Sequence, residues 1–170
     1  FIQSVGSVAE LLQYPGDTRL QIQGVDDVLV EGVLAERLGV TSGDTWARLS
    51  GIREVGSTRQ PICWTDVYVL PEYASVAQRI GEPQPVYALI EAQFGEQVAH
   101  VDIEIQAQLL APDVAERLGV GADSPTLTVV RRYLGRSGRI FEVSVAQHPA
   151  DRFSYRLSLS RDRLNPQESP

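Results

Sequence analysis

The chain has 170 residues, 43% of them hydrophobic, which suits one well-filled core and makes a single domain the expectation. A net charge of −7 and a pI near 4.8 exclude the basic footprint of a nucleic-acid surface. Apolar runs of only a few residues exclude a transmembrane helix, the N-terminus lacks a signal-peptide pattern, and the lone Cys63 excludes a disulfide framework and fits a reducing cytosol.

The elements follow in regular alternation. Ser7 with Glu10 three residues on is a capping-box signature, predicting a short helix over Val8–Leu12 that Pro15-Gly16 stops. A strand is expected from about Thr18 to Val30, then a helix over Gly32–Leu38 ended by Gly39. Strands fit Trp46–Val55 and Ile62–Leu70. Pro71 opens a helix to about Ile80, Gly81–Pro85 interrupts, and Val86–Phe94 is a further helix stopped by Gly95. Val101, Ile103, Ile105, Ala107 and Leu109 alternate with Asp102, Glu104, Gln106 and Gln108, the period of two of a half-buried strand. Pro112 opens a last helix. Strands at Thr126–Leu134, Arg139–His148 and Phe153–Ser160 follow, with a disordered tail beyond Asn165 (166–170).

The hexapeptide Ala35-Glu-Arg-Leu-Gly-Val40 recurs unchanged at Ala115–Val120. Each copy leads through a Gly/Ser/Asp turn into an extended stretch ending in arginine, Arg53 in one half and Arg131-Arg132 in the other, and then into a second strand. Two halves share one helix–turn–strand–strand unit, so the chain reads as an internally duplicated domain whose seam is a natural place for a ligand. With short helices and strands joined by short turns, the fold class is α+β with a mainly antiparallel sheet.

Catalytic signatures are missing: no HExxH, CxxC, GxSxG or GxGxxG after a strand. His100 reads as a surface residue and Cys63 as a buried, inert thiol. Arg131 and Arg132 must point to opposite faces of their strand, so one of them can turn inward. Strand-end arginines are either solvated charges or an anion clamp, whose guanidinium fork suits a carboxylate or phosphate. On the Arg139–His148 strand, alternation puts Glu142, Ser144, Ala146 and His148 on one face and Phe141, Val143 and Val145 on the other. The polar face is either solvent-exposed or a pocket wall.

Leu34–Val40, the strand to Arg53, Pro61-Ile62, Tyr68–Pro71, Val86–Leu89, Phe94-Gly95, Ala115–Val120, Pro125–Leu127, Gly138–Ser144 and Asp151–Tyr155 resemble, in order, the landmarks of the UTRA domain. This is the effector-binding module of GntR-type bacterial transcription regulators of the HutC branch. The resemblance runs from about Ser4 to Asp162 and implies a chorismate-lyase-like α+β fold over residues 1–165. It also implies a homodimer, a cytoplasmic location, no cofactor or metal, and a winged helix-turn-helix domain ahead of Phe1 that binds operator DNA. The absence of methionine carries the same expectation that Phe1 does not begin the translated protein.

In family members that bind phosphorylated sugars, the first long strand ends Arg-x-Arg. Here Gly51-Ile52-Arg53 keeps only the second arginine, Pro85 replaces a serine, Ile140 replaces the proline before Glu142, and His148 replaces a tyrosine. Each lost charge-assisted hydrogen bond is worth about 1.5–3 kcal/mol, which points away from a phosphosugar toward a smaller acid or an amino-acid-related metabolite. The expected effector contacts are Arg53, Glu142, His148, Ser144 and Ser7. Arg53 would hold an acidic group, Glu142 would accept from a hydroxyl or amine, and Ser7 would offer helix N-terminal N–H groups beside the linker. A chorismate-lyase-like enzyme acting on a small aromatic acid is the alternative that the same fold allows.

Overall fold

In the structure, a computed structural model, the backbone of residues 2–5 and residues 17–79 and 84–157 are described. Ser7, the helix expected over Val8–Leu12, the Gly81–Pro83 break and the tail beyond Asn165 lie outside them.

Among the described residues, eight strands and three α-helices follow in the order β1 Ile2–Val5, β2 Thr18–Val30, α1 Gly32–Leu38, β3 Asp44–Val55, β4 Pro61–Val69, a 3-10 helix Pro71–Arg79, α2 Val86–Phe94, β5 Val98–Leu109, α3 Pro112–Leu118, β6 Pro125–Gly135, β7 Ile140–Pro149 and β8 Ser154–Leu157. The six long strands form one antiparallel sheet in the order β2-β3-β4-β7-β6-β5. Its two halves are β2-α1-β3-β4 and β5-α3-β6-β7, joined where β4 lies against β7, which is the arrangement a duplication about a pseudo-two-fold produces. β1 pairs in parallel with β8, setting residues 2–5 beside residues 154–157. Sequence patterning gives no sign of β1, because four residues carry too little periodicity to register. The helix expected after Pro71 is present as a 3-10 helix over Pro71–Arg79.

The repeated hexapeptide has a local explanation. In the first copy Val40 N–H donates to Ala35 C=O at 3.2 Å and Gly39 N–H to Glu36 C=O at 3.2 Å; in the second, Val120 donates to Ala115 at 3.0 Å and Gly119 to Glu116 at 3.0 Å. These are the two bonds of the Schellman motif, and it needs a left-handed residue where Gly39 (φ 72°) and Gly119 (φ 64°) stand. Within the hexapeptide the alanine and leucine face inward and are buried in both copies. The duplication is therefore preserved where the chain must stop a helix and turn back into the sheet.

Both faces of the sheet are covered. The back face carries α1 and α3: Trp64 packs with Leu110, Val114, Ala115 and Leu118. Arg132 reaches across to α1, donating to Leu38 C=O at 3.0 Å and Arg37 C=O at 2.5 Å, and pairs with Glu104 at 2.8 Å. On the front face α2 lies over one end of the sheet, with Tyr87 stacked on Tyr133 at 5.1 Å. At the other end Phe153 stacks on His148 at 3.8 Å.

Candidate functional site

Register fixes which side chains share the front face, because residues directly opposite on paired strands point the same way. Four transverse rows result. The first is Ala47–Val69–Glu142–Tyr133, the second Leu49–Val67–Ser144–Arg131, and the third Gly51–Thr65–Ala146–Val129. The fourth holds Arg53 opposite Cys63 on β3–β4 and His148 opposite Leu127 on β7–β6. Successive rows are about 7 Å apart. The third row has small side chains, Thr65 and Ala146, at its centre, between larger polar groups on either side.

This face is not solvent-exposed. Thr65, Arg131, Glu142 and His148 are all buried, Ser144 and Arg53 half-buried, and the opposite face of β7 is buried as well through Val143 and Val145. Polar atoms on a doubly covered central strand need partners, and one oxygen of Glu142 lacks one among the described residues. Its Oε2 has no hydrogen-bond partner among the described residues, and burial alone pushes its carboxyl well above the usual carboxylate range. Glu142 thus carries a buried, unpartnered Oε2 beside Tyr133 and one row from Ser144 and Arg131.

Of the two arginines within β6, which continues past them to Gly135, Arg131 turns inward and Arg132 serves the back face. Arg131 is the residue the sequence reading left out of its expected contacts. The alternation rule required one of the pair to face in, and only the register with β7 identifies which. The expected set is also more spread out than alternation suggests. Glu142 and His148 share a face but stand six residues apart, about 20 Å along the strand. The structure therefore groups Glu142 and Ser144 with Arg131 at one end, and Arg53 and His148 with Cys63 at the other.

At that second end Arg53 Nη1 donates to Thr18 Oγ1 at 3.2 Å, His148 Nδ1 lies 3.1 Å from Leu127 C=O, and Cys63 Sγ lies 3.5 Å from Thr65 Oγ1. The thiol is buried as expected. Burial opposes its ionisation, yet the charge and hydrogen bond of His148, with Arg53 and Thr65 adding to them, bring its pKa down to about 7. Sequence alone could not reveal this, since His148 is distant along the chain and arrives only through the β4–β7 pairing. His100 is exposed, 2.8 Å from Asp102. No cluster of three or more His, Cys, Asp or Glu that could hold a metal ion occurs among the described residues, and no helix among them is long and apolar enough to cross a membrane.

A profile of the UTRA domain matches residues 17–154. The HTH-type transcriptional regulator Rv0792c of Mycobacterium tuberculosis (strain ATCC 25618 / H37Rv) is 28% identical over 113 residues, covering 64% of this chain and 42% of that protein. This chain thus corresponds to less than half of that relative's length. Among solved structures, the effector domain of PhnF from Mycobacterium smegmatis superposes with a TM-score of 0.75 at 18% identity, covering 95% of this chain and all (100%) of that one. A GntR-family transcriptional regulator from Bacillus cereus superposes with a TM-score of 0.70 at 17% identity, covering 85% of this chain and 99% of that one. At these identities the superpositions establish the shared fold, a six-stranded, mainly antiparallel sheet with a few helices. With most of its length matched by one family profile, the chain belongs to the UTRA domain family.

Proposed function

We propose that this chain is the effector-binding domain of a cytoplasmic GntR-type transcriptional regulator of the HutC branch. It binds a small acidic metabolite on the front face of its sheet and so modulates DNA binding by a winged helix-turn-helix domain preceding Phe1. The observation that carries this reading is the buried Glu142 carboxyl with its unpartnered Oε2, set one row from Ser144 and Arg131. A buried polar atom without a partner costs about 1–3 kcal/mol, and a ligand hydroxyl or amine placed there recovers it. Burial disfavours the charged form of Glu142, and the guanidinium groups of Arg131 and Arg53 on the same face favour an anion. The ligand's acidic group lies toward Arg131, and Arg53 and His148 set the far end of the pocket. A regulator that reads a two-fold operator works as a dimer, and ligand binding acts by favouring one arrangement of that dimer over another.

Small molecules that co-purify with the domain, identified by native mass spectrometry and then titrated in a thermal-shift assay, test this reading. A ligand at a hundred times its Kd adds about 2.7 kcal/mol of stability. Arg131→Ala and Glu142→Ala each weaken that ligand at least tenfold while the domain stays folded. Failure to find any stabilising metabolite makes the domain a dimerisation module, and release of pyruvate from added chorismate makes it an enzyme.

A further inference from the structure

β8 and β1 form a two-stranded sheet separate from the six-stranded one, with Ile2 opposite Ser154, Gln3 opposite Tyr155, Ser4 opposite Arg156 and Val5 opposite Leu157. Side-chain packing seats this small sheet on the large one. Ser154 and Arg156 are exposed, whereas Phe153 is buried and Tyr155 half-buried, so residues two apart turn one side of the strand inward. Phe153 packs with Ile62, Cys63 and Ala146, and Tyr155 rests on the same cluster.

The connection from β7 to β8 is pinned just ahead of Phe153. Ala150 N–H donates to Pro125 C=O at 2.9 Å and Arg152 N–H to Pro149 C=O at 3.0 Å. Arg152 Nη1 donates to the carbonyls of Leu118 at 2.8 Å and Pro61 at 3.2 Å. Phe153 comes next, its ring on that of His148 with centroids 3.8 Å apart and planes at 23°. His148 is a fixed platform. It is fully buried, Thr126 Oγ1 donates to its carbonyl at 2.6 Å, and its Nδ1 lies 3.1 Å from Leu127 C=O. Of the two rings, Phe153 is therefore the one that a rotation of β8 about Arg152 displaces.

We propose that the Phe153–His148 stack is a joint that couples the fourth row of the front face to the pairing of β1 with β8. It defines two arrangements. With the ring seated, β8 lies on the sheet and presents its edge to β1. With the ring displaced, Tyr155 loses its support and the pair loosens. Because His148 is covered, a group reaches it only by taking the ring's place, whereas a molecule confined to the first three rows leaves the ring seated. A ligand shifts such an equilibrium only through a difference in affinity for the two arrangements, and displacement supplies one. The role of the joint in signalling rests on the function proposed above. An effector long enough to reach His148 acts on the segment that follows the proposed DNA-binding domain, and a shorter one binds without that effect.

The joint is tested without a ligand, so its failure and that of the proposed function are distinguishable. In the 170-residue chain, Phe153→Ala and His148→Ala should each speed amide exchange of residues 2–5 and 154–157 by about tenfold or more, while β4 and β7 keep their protection. In the Phe153→Ala background, His148→Ala should add nothing, since its effect passes through the ring. Tyr87→Ala, which removes the ring stack at the opposite end of the face, should leave the β1–β8 amides unchanged. Should an alanine variant not fold, Phe153→Leu and His148→Asn remove the stack with less loss of volume and carry the same comparison. Unchanged exchange in both single variants overturns the joint. Effects that multiply in the double variant show two separate contacts and overturn it as well. An equal rise in Tyr87→Ala means that the pair responds to general loosening, which also overturns it. A coupled pair in a domain that binds no metabolite leaves the joint standing and removes only its role in signalling.

Discussion

Replacing Glu142 with glutamine isolates the cost of placing an acid where nothing neutralises it. The side chain is buried, burial alone raises its pKa, and the ordinary value of 4.5 applies once the chain unfolds. Below pH 4.5 the carboxyl is protonated in both states. Above it the unfolded chain releases the proton while the folded chain keeps it, so folding requires proton uptake and stability falls as pH rises. The loss continues until pH passes the folded pKa and then stops. Within that window one proton corresponds to about 1.4 kcal/mol per pH unit. Glutamine has nearly the same shape and does not titrate, although its buried amide carries a pH-independent penalty of about 1–3 kcal/mol if it finds no partner. The readout is therefore the slope, not the offset. Urea unfolding of both proteins from about pH 5 to pH 8 should show Glu142→Gln gaining on the wild type by up to about 1.4 kcal/mol per unit. The titration of Cys63 occurs in both proteins and cancels to first order in the difference. Parallel stability curves would mean that Glu142 is ionised and compensated in the folded domain, which removes the observation on which the proposed function rests.

Three further outcomes follow from the packing. Arg132→Ala removes two bonds to the C-terminal carbonyls of α1 and the pair with Glu104, and should destabilise the domain by about 3 kcal/mol in urea titrations, with Arg132→Lys recovering only part. Gly51→Ala should cost about 3 kcal/mol, because a Cβ there would collide with the Gln21 backbone and come within 2.9 Å of Ile22 Cα; Gly24→Ala, with open space around it, serves as the mild control. His148→Phe keeps the stacking on Phe153 but removes the positive partner of the thiol. The thiolate titration of Cys63, followed by ultraviolet absorbance, should then move from about 7 to above the ordinary value of 9.0, and an unchanged midpoint would show that His148 does not control it.

What the sequence disclosed was set by the range of the interactions involved. The helix stops at Gly39, Gly95 and Gly119 are local events, and all three glycines have positive φ. The two-residue alternation from Val101 to Leu109 is likewise local, and the strand is present there. The antiparallel α+β class follows from short turns between strands. Register, by contrast, is a property of pairs of strands. Without it the chain could not show that Arg131 and not Arg132 turns inward, or that His148 meets Cys63. Nor could it show that Glu142 and Arg53 lie at opposite ends of one face.

The duplication explains why these residues resist recognition by comparing halves. The hexapeptides are offset by eighty positions, from Ala35 to Ala115, and on that offset the counterpart of Arg131 is Gly51 and the counterpart of Tyr133 is Arg53. Residues 56–60 separate β3 from β4, but only 136–139 separate β6 from β7, so the offset between the last strands falls to seventy-nine. Glu142 then corresponds to Cys63, Ser144 to Thr65 and His148 to Val69. The pseudo-two-fold exchanges the first row of the front face with the fourth and the second with the third. Arg53 and Arg131 are therefore not symmetry mates, although each lies near the end of the equivalent strand. The backbone kept its symmetry where helix stops and strand pairing demand it. On the front face the two halves diverged, one giving the acid and the inward arginine of one end, the other the thiol and the arginine of the opposite end. On the proposed reading, a face polarised in this way would bind an asymmetric molecule in one orientation, which a strictly symmetric seam could not do.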